Sequence, residues 1–167
     1  VVELAPALRR RDVDEPNFRY LAAAALLSID DYDGAREVAA GLLDHLPWQA
    51  DAHHLLGVIA ARRGDWPTAV ARLNSAIIAG DGSRADHARA LLGRAKAEAG
   101  EYVEAARQWL AVPEEKRGGW GIAESLPGWA YLAGVQSLRN GDELVANDWL
   151  GKARDLGWKD PRLTVLQ

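Results

Sequence analysis

The chain has no cysteine, which removes a disulfide framework, a thiolate metal site and a cysteine nucleophile in one step. It has no methionine either, initiator included, so a processed or excised piece of a longer protein is the expectation. No run of about 18 apolar residues occurs, and the N-terminus opens with Val1-Val2-Glu3 rather than a basic segment before an apolar one. Neither a membrane-spanning helix nor a signal peptide is legible. Neither sign of charge gathers into a block, and 20 Lys and Arg stand against 24 Asp and Glu for a net charge of −4. That balance supplies no basic footprint for nucleic acid and no polybasic patch for a membrane surface. The cytoplasm is the expected compartment, with a periplasmic or other extracytoplasmic location as the alternative. The Ala-rich, Arg-over-Lys composition points to a GC-rich bacterial genome.

What is present is ordinary folded-domain chemistry, with 49% hydrophobic and 26% charged residues among 167, enough for one compact domain or a short solenoid. No segment alternates as a strand does. Sliding the chain on itself by 34 places aligns Asp31-Tyr32 with Asp65-Trp66 and Ala35 with Ala69. Leu92-Gly93 matches Leu56-Gly57, Gly100-Glu101-Tyr102 matches Gly64-Asp65-Trp66, and the Ala105 to Trp109 spacing matches Ala69 to Leu73. A degenerate fourth unit reads Ala133-Gly134, Gly141-Asp142, Ala146, Leu150 and Ala153, with Glu143 in the aromatic place.

Each recurrent residue has a physical role in a helical hairpin. Gly57 and Ala69 let two helices approach, and Leu56 and Leu73 fill the space between them. Gly64, Gly100 and Gly141 suit a left-handed helix end. Asp31, Asp65, Glu101 and Asp142 then open the second helix, where an acid is favoured, and Pro67 suits its first turn. Ser83 and Asp86 have capping-box spacing, and Asp160-Pro161 marks another start.

These residues resemble the tetratricopeptide repeat, over residues 16 to 160. The resemblance implies an all-α fold, a right-handed α–α superhelix of antiparallel hairpins, in registers 16–49, 50–83, 86–119 and 127–160. The first departs most, with Ala22-Ala23 in the Leu-Gly place and Asp30 in the turn-glycine place, while Pro47 holds the usual closing proline. Residues 1–12, with Val1, Ala5 and Leu8, read as the end of a preceding hairpin. Residues 161–167, with Leu163, Val165 and Leu166, read as a capping helix or a further repeat. The period breaks at 113–126, which reads as an insertion loop because Pro113 and paired glycines do not continue a helix.

In the family the first helices line a concave groove that takes a peptide or partner protein. By register this groove holds Asn17, Tyr20 and Ala24; His54, Val58 and Arg62; His87, Ala90, Arg94 and Glu98; and Tyr131, Val135 and Arg139. Tyr and Arg are the types that anchor interfaces, although any one of these residues could equally be a solvated helix position. Tyr20 and Ala24 replace the Lys and Asn of the family's clamp for chaperone carboxyl termini, which disfavours that partner. An apolar and acidic peptide suits what remains. Trp120, flanked by glycines, reads either as tucked under a hairpin or as a loop contact. Trp66, Trp109 and Trp149 read as core.

No motif for chemistry emerges. His53 and His54 are adjacent and point about 100° apart on a helix, so no metal is expected there, and a meeting of His54 with His87 is the weaker alternative. The acidic run Asp30 to Gly34 fails as a calcium loop, since Ile29 and Ala40 fall on ligand places. Phosphate loops, nucleophile elbows and zincin helices are absent. The sequence therefore predicts a scaffold without cofactor or metal, neither an enzyme nor a nucleic-acid or membrane binder. Self-association, or service as an accessory arm of a larger protein, is the alternative.

Overall fold

Among the described residues, 15–159 of this computed structural model, every regular element is a helix. Val1, Ala5 and Leu8 of the expected preceding hairpin, and Asp160-Pro161 with Leu163, Val165 and Leu166 of the expected cap, lie outside them. The helices are α1 (Pro16–Ser28), α2 (Tyr32–Ala40), α3 (Gln49–Arg62), α4 (Trp66–Ala79), α5 (Gly82–Glu98), α6 (Tyr102–Leu110), α7 (Glu114–Arg117), α8 (Ile122–Arg139) and α9 (Glu143–Asp155), with 3-10 turns at Leu46–Trp48 and Gly118–Trp120. None of them is long and apolar enough to cross a membrane. The chain divides into two compact units whose boundary, between Leu92 and Gly93, falls within α5.

In the first unit, α1 turns into α2 through Asp30 at φ 59 and α3 into α4 through Gly64 at φ 75. Both turns close with a bond from the N–H three residues past the helix back across the last turn, Asp31 to the Leu26 carbonyl at 3.0 Å and Asp65 to Ala60 at 2.9 Å. This arrangement requires one residue in the left-handed region. The same two aspartates then cap the next helix, Asp31 accepting from the Gly34 N–H and Asp65 from the Thr68 N–H. One residue pair thus ends one helix and starts another. The core between these hairpins gathers Ala23, Leu26, Ala35, Ala39, Leu42, Ala52, Leu55, Leu56 and Ile59, and a second cluster joins Leu73, Ala76, Ala88 and Leu92. A Cβ at Gly57 would lie 2.8 Å from Leu73 Cγ, so glycine there sets how closely α3 and α4 approach. Helix α5 opens at Gly82, ahead of the start expected at Ser83, and the Asp81 carbonyl accepts from the Arg84 and Ala85 N–H groups.

The second unit repeats the turn at Gly100 (φ 77) and Gly141 (φ 79), with Glu101 N–H bonding to Lys96 and Asp142 N–H to Ser137. Asp142 caps α9 through the Val145 N–H. Glu101 makes no side-chain cap and pairs instead with Lys96 at 2.6 Å. A Cβ at Gly93 would run into the Trp109 indole, and one at Gly134 would lie 2.7 Å from Leu150 Cγ. Trp109 and Trp149 are buried, whereas Trp66, in the first unit, is only half-buried.

The segment 113–126 is not the loop expected. It holds α7, a 3-10 turn and the first turn of α8. Arg117 folds back so that its Nε and Nη2 donate to the Val112 and Leu110 carbonyls, both at 2.9 Å, and satisfy the open end of α6. Gly121, left-handed at φ 67, launches α8, which continues through Pro127. Burial of Ile122 and Leu126, one turn apart, offsets the hydrogen bond that the proline removes.

Candidate functional site

The residues that the register assigns to one face are best followed unit by unit. On α1, Asn17 is exposed, Ala24 is half-buried and Tyr20 is half-buried with its ring centroid 5.9 Å from that of Trp48. The 3-10 turn ahead of α3 supplies that tryptophan and holds the tyrosine against the core. On α3 and α5, His54 and His87 do meet, their ring centroids 4.6 Å apart and their planes at 41°. One helical turn before them, Asp51 and Arg84 pair at 3.0 Å. Burial, with His87 adding a smaller push, lowers the His54 imidazole to about 4, and burial also lowers His87. His54 Nε2 is buried without a hydrogen-bond partner. Burial raises the Asp51 carboxyl against the opposing pull of Arg84. Val58 is half-buried and Arg62 exposed at the end of α3, while Ala90 is buried and belongs to the packing rather than to an open face.

In the second unit Arg94 and Glu98 are exposed on α5. Tyr131 is half-buried and stacks on Trp158, centroids 5.0 Å apart and planes 19° apart, so one face of the phenol ring is covered. Val135 and Arg139 border a cleft with Tyr102, Leu132 and Gln136. Gln136 fixes the wall of that cleft, donating to the Gly100 carbonyl at 2.7 Å and accepting from the Val103 N–H at 3.2 Å. Arg62, Arg94 and Arg139 are exposed and have no carboxylate partner among the described residues. Trp120 is half-buried in its 3-10 turn, which fits neither extreme expected of it.

Two clefts escaped the sequence reading. One is bordered by Asp33, Glu37, Ile59, Arg63 and Thr68, the other by Val103, Arg107, Gln136, Asn140 and Val145. These residues occupy the same repeat places in the two units. Each cleft lies where a second helix meets the turn of the next hairpin, away from the first-helix face. Their chemistry differs: Arg63 donates to Asp33 at 2.7 Å and holds that carboxyl below its usual range, whereas the second cleft has the amides of Gln136 and Asn140 in its lining and its Arg107 lies 3.8 Å from Glu104 on the same helix. The repeat arithmetic could have located both, because it fixes which turn follows which helix.

Among the described residues no group of three or more His, Asp or Glu is placed to hold a metal ion. No protein-family model matches the chain, and no curated protein matches it.

Proposed function

We propose that this chain is a protein-interaction scaffold of the tetratricopeptide type, a right-handed superhelix of hairpins whose first helices bind a peptide or partner protein. The observation that carries the reading is the repeated close-approach pair. Gly57 lies under Leu73, Gly93 under Trp109 and Gly134 under Leu150, each at the same place in its register. Chance similarity of composition does not reproduce a contact at fixed spacing. The binding chemistry follows within each unit: in the first, exposed Arg62 stands one turn from half-buried Val58 on α3, and in the second, exposed Arg139 stands one turn from half-buried Val135 on α8. A guanidinium takes a carboxylate in bidentate fashion and the adjoining apolar surface takes side chains, which suits a mixed apolar and acidic peptide.

Selection from a peptide-display library tests this directly. Enriched peptides carry acidic and apolar residues together, and their affinity falls at least about tenfold for a folded Arg62→Ala, Arg94→Ala, Arg139→Ala variant, the loss expected from interface arginines. No enrichment, or affinity indifferent to the three changes, would sink the reading. A second reading, self-association or service as an accessory arm, is favoured by the exposure of Leu46, Ile78 and Leu144, each at least 80%. A molecular mass that rises with concentration would support it.

A further inference from the structure

Asp51 and His54 are spaced by three on α3, and Arg84 and His87 by three on α5. Residues so spaced share a helix face. The two helices therefore meet through two polar rungs, an ion pair and, one turn on, a pair of imidazoles. We propose that the His54–His87 contact is an acid-sensitive joint, holding α3 against the part of α5 before Leu92 while both rings are neutral and releasing it when the pair is protonated. The proposal concerns the free chain and does not rest on the peptide-binding reading.

A buried charge needs a counter-charge and hydrogen-bond partners. His54 Nε2 has no partner, and the one charged group that acts on His54 is His87, which repels. Of the neighbouring charges on α3, Asp51 gives its Oδ1 to Arg84 of α5 while its Oδ2 is buried without a partner, and His53 feels Arg72 of α4, a further cation. Asp81, just before α5, acts on Asp51, where it raises the carboxyl. An imidazolium at His54 is thus both desolvated and set against a second imidazole.

The sign of the pH effect follows. A histidine whose folded value lies below the ordinary 6.5 gives stability that is whole above 6.5 and lost as pH falls toward the folded value, about 4. At pH 5 the opened chain is favoured about 30-fold more than at pH 8 on account of His54 alone. Asp51, raised by burial, works in the opposite sense and cancels when variants are compared.

The experiment is urea unfolding of the full chain at pH 8 and pH 5, native against His54→Gln and His54→Phe, with the imidazole Cε1–H resonances followed by NMR. The native unfolding constant should rise about 30-fold more than that of the His54 variants, with His54 titrating near 4. His87→Gln, at an exposed position, keeps the test available if neither His54 variant folds. Removing the repelling ring should move the His54 midpoint upward. Equal acid sensitivity in native and His54 variants, a His54 midpoint near 6.5, or a midpoint unmoved in His87→Gln would overturn the proposal.

Discussion

In the α3–α4 hairpin the first helix contributes a glycine and the second a leucine, Gly57 beneath Leu73. In α1–α2 the same register places hold Ala23 and Ala39, both fully buried in one cluster. One hairpin combines the smallest residue with a large one and the other combines two small ones. What recurs is a small residue on the first helix and a filled space opposite it, not the same residue at either place, as expected of closely packed interiors. The turns differ in parallel. The second uses Gly64, while the first puts Asp30 at φ 59 and has Tyr32 donate its hydroxyl to the Asp30 carboxylate at 2.6 Å. Aspartate tolerates the left-handed region better than most residues because its short side chain bonds locally.

The comparison can be broken most forcefully at the largest partner. Trp109→Ala, which removes the indole above Gly93, should cost about 4 kcal/mol in urea unfolding, and adding Gly93→Ala should recover part of it. In the first hairpin the opposite change is harmful. Ala39→Leu forces a large side chain over an alanine already fully buried and should cost about 2 kcal/mol, with Ala23→Gly restoring most of the loss. Smaller effects separate the caps. Asp65→Ala, which loses the bond to the Thr68 N–H, should cost about 1 kcal/mol. Glu101→Ala, whose side chain caps nothing and makes an exposed pair with Lys96, should stay within about 0.5 kcal/mol. Smallest of all is Asp30→Gly, where relief of the left-handed backbone and loss of the Tyr32 bond oppose each other and leave the midpoint nearly unchanged.

The turns were legible in the sequence because few residues tolerate positive φ and few side chains cap a helix, so Gly64, Gly100, Gly141, Asp65 and Asp142 announce themselves. The helix through 122–126 was not. Local rules read Pro113 and the paired glycines as a break, and the deciding facts are non-local, namely Arg117 reaching back to Leu110 and Val112 and the burial of Ile122 and Leu126. The candidate face was legible only as a set of places. Register fixes which residues share a side of a helix, yet Trp48 against Tyr20 and Trp158 over Tyr131 come from neighbouring turns and decide how much of each ring is left to a partner. His54 and His87 were placed within reach by register, but the desolvation that lowers the proton affinity of His54 depends on the packed core.

The repeated close approach of paired helices is the central claim, and a double-mutant cycle at Gly57 and Leu73 tests it most directly. Leu73→Ala alone should cost about 3 kcal/mol by opening a cavity. Gly57→Ala alone should cost about 1 to 2 kcal/mol, because its Cβ meets Leu73 at 2.8 Å and outweighs the gain in helix propensity. Together they recreate the alanine pair of the first hairpin, and the double variant should be more stable than the sum of the single losses by at least about 1.5 kcal/mol. Losses that add to within about 0.5 kcal/mol would mean that the two residues do not set the helix spacing together, and would contradict the account.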